Sequence, residues 1–157
     1  MLENKTHFEP YILFELAETL YGIPSQLVQQ MEMIEQITPV PNAPSFVEGV
    51  VFSRGQVIPA INLRVRFGFE KVPYDLRTRL IVIQSDNRTL GLIVDTAREF
   101  LLIPKAAIQP PPEEISGLSG KYLAGIATLD KRIVLILDVH ELLAIHETAI
   151  HKTVVAT

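Results

Sequence analysis

The residue types that perform acid–base, nucleophilic or metal chemistry are present in this chain, but their spacing assembles none of it. The four histidines are His7, His140, His146 and His151. The last three are separated by six and five residues, which does not put two imidazoles on one helix face as i, i+4 metal ligands require. Gly117-Leu118-Ser119-Gly120 holds a serine among glycines without the G-x-S-x-G elbow that presents a nucleophile. Neither a G-x-G-x-x-G pattern nor a glycine–lysine phosphate loop occurs. Glu113-Glu114 and Asp75 stand in polar or proline-rich stretches, where carboxylates stay solvated. Cysteine is absent, which removes disulfide and thiolate chemistry. The expectation is a binding module, with no catalysis, cofactor or metal.

One polar feature remains conspicuous. In Glu48–Arg64 a basic Arg54-Gly55 turn separates two apolar stretches. Glycine accounts for the turn. An arginine at the tip either keeps a hairpin soluble or meets another molecule.

The elements that position this turn read as β-structure. Short runs rich in valine and isoleucine lie at Ile12–Leu16, Tyr21–Pro24, Gly49–Phe52, Val57–Ile61, Leu80–Ile83, Leu90–Val94, Ile126–Leu129 and Ile133–Leu137. Glycine, proline, asparagine and aspartate punctuate them, the pattern of an all-β barrel or sandwich. Helical signals are brief. Ser45 and Glu48 are spaced as a capping box for about one turn, and Asn62 and Gly68 bracket another. Asp138 and Glu141 open a longer C-terminal helix with Val139, Leu142, Leu143 and Ile145 or His146 on one face, and the tail from about His151 reads as frayed.

An internal echo organises these runs. Gly49–Phe52, a charged turn and Val57–Leu63 correspond to Gly125–Thr128, a charged turn and Ile133–Val139 at a constant offset of 76 residues. Ile37–Pro41 resembles Ile108–Pro112, and Tyr21-Gly22-Ile23 resembles Leu90-Gly91-Leu92. Two similar β units follow, at about 11–75 and 76–150, with residues 151–157 as tail. Arg54-Gly55 then lies opposite Asp130-Lys131, so the strands match while the turn chemistry differs.

Composition narrows the function classes. The chain has 157 residues, enough for one ordinary domain, and is 48% hydrophobic and 20% charged, which fits a folded globule. A formal net charge of −4 argues against a general binder of nucleic acid or anionic membrane. The polar N-terminus lacks a basic-then-apolar signal pattern, and no apolar run approaches the roughly 18 residues of a membrane helix. A cytoplasmic location is expected.

The motifs also carry a family likeness. Val28-Gln29-Gln30-Met31, Ile37–Asn42, Phe46–Val50, Arg54–Pro59 and Asn62-Leu63-Arg64 follow the order and spacing of the CheW family of chemotaxis adaptors. Gly91–Asp95, Ile108–Pro112, Tyr122–Gly125 and Leu135–Asp138 agree in the second half, so the resemblance spans about residues 11–145. It implies two five-stranded β-barrels of SH3-like or OB-like type packed on a common core, with a few short helices and a C-terminal helix. It implies a non-catalytic adaptor that joins the cytoplasmic hairpin tip of chemoreceptors to the regulatory domain of the histidine kinase CheA, in chemotaxis or in another chemosensory pathway such as twitching motility. Contacts with other CheW-like domains in array rings also follow from the likeness. Matched by position, Val28, Gln30, Met31, Arg54, Gly55, Arg79, Leu80 and Val94 are the candidate receptor-side residues or their support.

Three positions depart from the family pattern. Phe52 stands where asparagine is common two residues before the arginine. Gln30 replaces a glutamate able to pair with that arginine, so an internal ion pair at Arg54 is not expected. Asn62 replaces an aspartate and keeps the ability to cap a helix.

Overall fold

Tight turns set the strand pairing. Ala17-Glu18, Arg54-Gly55 and Asp86-Asn87 each hold two successive residues at positive φ. This is the type I′ geometry, whose twist matches that of a two-residue hairpin. In the computed structural model, which describes residues 7–115 and 120–144, these turns join β1 (Phe8–Leu16) to β2 (Thr19–Pro24), β4 (Val47–Ser53) to β5 (Gln56–Asn62), and β6 (Arg79–Ser85) to β7 (Arg88–Val94). Asp130-Lys131 joins β10 (Leu123–Leu129) to β11 (Arg132–Leu137). The remaining strands are β3 (Val28–Met33), β8 (Thr96–Pro104) and the two-residue β9 (Ile108–Gln109).

The strands form two sheets, one in the order β8-β1-β2-β11-β10-β9 and the other β3-β6-β7-β5-β4. The two orders superimpose, β8 on β3, β1-β2 on β6-β7, and β11-β10 on β5-β4. Register agrees in detail. Leu13 opposes Gly22 in the first sheet and Val82 opposes Gly91 in the second. Ile136 lies beside Gly22 in a parallel pair, as Ala60 lies beside Gly91. Ile12 opposes Phe100, as Ile81 opposes Met31.

Each sheet curls shut through its edge strand. The chain leaving β3 returns to the opposite edge, where Thr38 bridges Val50 through hydrogen bonds of 2.9 and 2.8 Å. The chain leaving β8 makes the 3-10 turn Lys105–Ala107 and enters β9, which pairs Gln109 with Ile126. Both closures press on a glycine. A Cβ at Gly49 would lie 2.1 Å from the Thr38 carbonyl oxygen, and one at Gly125 would lie 2.7 Å from Ile108 Cγ2 and 3.1 Å from the Gln109 carbonyl.

The echo at 76 residues therefore has a structural counterpart, but the sheets do not divide the chain at 75/76. The five-stranded sheet takes β3, β4 and β5 from before that point and β6 and β7 from after it. The six-stranded sheet takes β1 and β2 from before and β8 to β11 from after. The halves exchange strands, because a hairpin from either one supplies the same edge for pairing.

Three apolar clusters result. Tyr11, Leu13, Ile103, Ala127, Val134 and Ile136 fill the six-stranded barrel, and Ile58, Ala60, Leu80, Val82 and Ile93 fill the other. The third lies between the sheets. It joins Phe14, Leu16, Tyr21 and Ile23 of one to Ile61, Ile81, Ile83, Leu90, Leu92 and Val94 of the other.

Helices seal the junction. Asn62 accepts from the Val65 amide at 3.2 Å and caps the one-turn α1 (Leu63–Arg66), which ends near Gly68 at φ +88°. Arg66 lies over the Phe46 and Tyr122 rings at 4.9 and 5.1 Å, clasping the two sheets. Where the chain crosses from β7 to β8, Asp95 receives Arg64 at 2.8 and 2.9 Å and the Ala17 amide at 2.8 Å. The C-terminal helix is described over 139–144, with the Glu141 amide donating to Asp138 at 3.2 Å; Ile145, His146 and the tail lie outside the described residues.

One expected turn of helix does not form. Residues 45–46 make a simple turn, and Val47 already pairs with Ile61 in β4. Glu48 reaches Asn62 at 2.9 Å and Lys71 at 3.0 Å in place of capping. No described helix is long and apolar enough to cross a membrane.

Candidate functional site

Six of the eight candidate residues lie on three adjacent strands. Val28, Gln30 and Met31 are on β3, Arg79 and Leu80 on β6, and Val94 on β7. Register places Met31 opposite Ile81, Gln30 opposite Val82 and Arg79 opposite Val94. Arg54 and Gly55 stand apart at the β4–β5 turn, but Gln30 links the two groups. Its amide nitrogen donates to Ser53 Oγ at 2.6 Å and also to Glu32 Oε2, and Ser53 donates to Glu32 at 2.5 Å. This cluster ties the edge strand to the base of the hairpin.

The candidates divide by burial. Leu80 is 2% exposed inside its barrel, and Val94 is 1% exposed between the sheets, so both are positioned as packing. Val28 is half-buried against the shared core. Arg79 turns its guanidinium onto the Leu76 and Thr78 carbonyls at 2.7 and 2.9 Å. Met31 is 45% exposed. Arg54 is exposed and has no hydrogen-bond or ion-pair partner among the described residues; Gln30 bonds Ser53 and Glu32 and not the arginine.

Arg54 is held out by its backbone. Its φ of 52° lies in the left-handed region, and Gly55 follows at 78°. The exposed Phe52 and Val57 face each other across the same hairpin. The result is a guanidinium beside an apolar pair, able to make a bidentate contact to a carboxylate on another surface.

Sequence reasoning missed three residues of the same kind, Phe100, Leu102 and Met33. Phe100 on β8 occupies the place that Met31 occupies on β3, and Phe100 and Leu102 are 60% and 54% exposed. Met33 on β3 is likewise exposed. Both edge strands thus carry apolar side chains outward on the side of the shared core. The signal was available in the match of Tyr21–Ile23 to Leu90–Leu92, which extends from β2 and β7 to the strands that follow them.

Electrostatics around α1 are structural. Burial opposes ionisation of Glu48, but hydrogen bonds from Asn62, Lys71 and Tyr74 outweigh it and hold its carboxyl below the usual range. Burial, with Glu48 alongside, pushes the Tyr74 hydroxyl upward. His7 lies near Glu9 and His140 near Asp86, both on the surface and on different elements.

Comparison with known proteins places the fold in a family. The CheW-like domain family matches residues 10–147. A chemotaxis protein CheW of Klebsiella aerogenes is 34% identical, over 95% of this chain and 90% of its own. That of Helicobacter pylori is 33% identical, over 90% of this chain and 85% of its own. Among solved structures, the scaffolding protein TtCheW of Thermoanaerobacter tengcongensis superimposes with a TM-score of 0.79 at 32% identity, covering 84% of this chain and 90% of that one.

Proposed function

The chain belongs to the CheW family, and from that membership we propose a non-catalytic adaptor that couples chemoreceptor tips to the histidine kinase CheA. The role in chemotaxis signalling complexes rests on one observation above the others, the family match across residues 10–147. The TtCheW likeness adds a scaffold of the same fold.

The receptor's helical hairpin is assigned to the side of the shared core, where a helix needs apolar walls. Met31 and Met33 on one edge strand and Phe100 and Leu102 on the other supply exposed apolar surface there. Arg54 adds a charged contact, while Leu80, Val94 and Gly55 support the shape. The kinase regulatory domain, itself CheW-like, takes a separate face.

Pull-down with the CheA regulatory domain and a receptor cytoplasmic fragment tests this assignment. Both are expected to be retained at tens of micromolar. Arg54→Ala should stay folded, weaken the receptor fragment and leave the kinase domain unchanged. Loss of neither partner in the variant would make Arg54 a solubilising turn residue, and retention of neither partner by the parent protein would remove the adaptor reading.

A further inference from the structure

An arginine stands where the internal symmetry of the fold would put a leucine. Position 66 matches position 142 at the offset of 76 residues. On the five-stranded side, Leu142 of the C-terminal helix packs with Phe46, Ile61 and Leu90, and only about 10 Å³ is left beside them. The counterparts of those three residues on the six-stranded side are Tyr122, Leu137 and Tyr21. Arg66 does not fill the space over them. Its guanidinium lies over the Phe46 and Tyr122 rings and donates to the Tyr122 hydroxyl. A recess of about 70 Å³ remains.

Strand register gives this recess a single floor. Leu135 lies beside Tyr21 in the parallel pairing of β11 with β2, and Leu137 opposes Leu123 across β10. All four side chains stand on the face turned toward the shared core. Phe67 and Phe69 form the wall where α1 ends, and the Phe67 ring is 5.9 Å from Tyr21 and 5.4 Å from Tyr122. None of the described residues lining the recess is charged. One polar group there is unused. Tyr21 is 6% exposed, and its hydroxyl has no hydrogen-bond partner among the described residues. Burial raises its pKa, with no neighbouring charge contributing.

We propose that this recess receives a leucine side chain from a protein partner, with the Tyr21 hydroxyl donating to a backbone carbonyl beside it. Size selects the side chain. A cavity of about 150 Å³ is needed to hold benzene, so a recess of half that volume takes an aliphatic branch and not a ring. Charged side chains are disfavoured because the walls offer no counter-ion. A buried tyrosine hydroxyl without a partner carries a desolvation cost that an arriving acceptor removes. The last turn of a partner's helix brings both groups, an apolar side chain and carbonyls with no intrahelical donor. The site shares no residue with the receptor-side candidates and does not depend on the adaptor reading.

The test is an NMR titration of the full chain with N-acetyl-L-leucine methylamide, which carries an isobutyl branch between two amide carbonyls. The alanine and phenylalanine analogues serve as controls. Saturable amide shifts confined to 21–22, 67–69, 122–123 and 135–137 are expected at tens of millimolar. The leucine probe should bind about threefold or more tighter than the phenylalanine analogue, and the alanine analogue should give no shifts. Tyr21→Phe keeps the ring and should weaken the leucine probe by about threefold or more, with a denaturation midpoint unchanged or raised. Phe69→Ala, at a partly exposed position, should also weaken it, with the spectrum away from the recess unaltered. No shifts with the leucine probe, equal responses to all three probes, or binding indifferent to Tyr21→Phe would overturn the proposal. A lowered midpoint in Tyr21→Phe would show the hydroxyl already paired within the chain and overturn it as well. Concentration-dependent shifts of the same amides without added probe would put a second copy in the recess and overturn the assignment to a different partner.

Discussion

Arg54 adopts a backbone conformation that an L side chain reaches only against steric opposition. At φ 52° its Cβ crowds the following carbonyl, which disfavours the left-handed region by about 1–2 kcal/mol for residues other than glycine and, in part, asparagine. Arg54→Asn should therefore raise stability by about 0.5 kcal/mol in denaturant unfolding, whereas Arg54→Ala, with the same steric problem, should stay within about 0.5 kcal/mol of the parent. If Asn stabilises the fold while weakening receptor binding, the arginine is kept for contact. Glu48 offers a second test at this scale. Its folded carboxyl sits below the ordinary value, so its contribution is full above the unfolded value near 4.5 and disappears as pH falls through the lower folded value. Glu48→Gln should flatten the acid limb of the stability profile below about pH 5 and leave the shape near neutrality unaltered, as read by thermal melts across pH.

Among the elements, the strands legible in the sequence were those with one or both faces buried. Leu80–Ile83 and Leu90–Val94 read as uninterrupted apolar runs because they lie between two apolar clusters. The edge strands did not. Val28–Met33 mixes glutamine and glutamate with methionine, and Thr96–Pro104 places Phe100 and Leu102 outward, so neither carries the contrast that burial writes into a sequence. The candidate site was legible to the same extent: Arg54-Gly55 through its turn chemistry, but not the Gln30–Ser53–Glu32 cluster, which depends on how β3 meets the hairpin. The closures make a sharper prediction. Gly49→Ala places a methyl 2.1 Å from a backbone oxygen at φ 148° and should lower stability by about 4 kcal/mol. Gly125→Ala, whose nearest contact is a side-chain methyl, should lower it by about 2 kcal/mol. Chemical denaturation of the two variants gives the order, and reversed magnitudes would mean that the closures bear unequal strain for another reason.

At the scale of the molecule, the repeat was visible and the exchange was not, because the same local patterns satisfy both. The strands β1-β2 and β6-β7 have matching registers, so the choice between pairing within a half and across halves is left to the whole chain. Residues 1–75 and 76–157 expressed separately should each lack the hairpin that the intact fold borrows from the other. Mixed in equal amounts, they should recover the native near-ultraviolet circular dichroism and a single cooperative melt. Separate native-like folding of each half, with no change on mixing, would mean that the pairing within a half competes effectively with the exchange.

The exchange also makes the two barrels thermodynamically inseparable. Opening the five-stranded sheet withdraws β6 and β7 from a chain that must continue into β8, while β3 to β5 pull on β1 and β2. A partner held at one hundred times its dissociation constant adds about 2.7 kcal/mol to the free energy of any opening that destroys its site. Bound to the five-stranded barrel alone, it should slow hydrogen exchange at amides of the six-stranded barrel by up to about a hundredfold wherever exchange requires the interlaced strands to part. Occupancy on one side is thereby felt on the other without any change of shape.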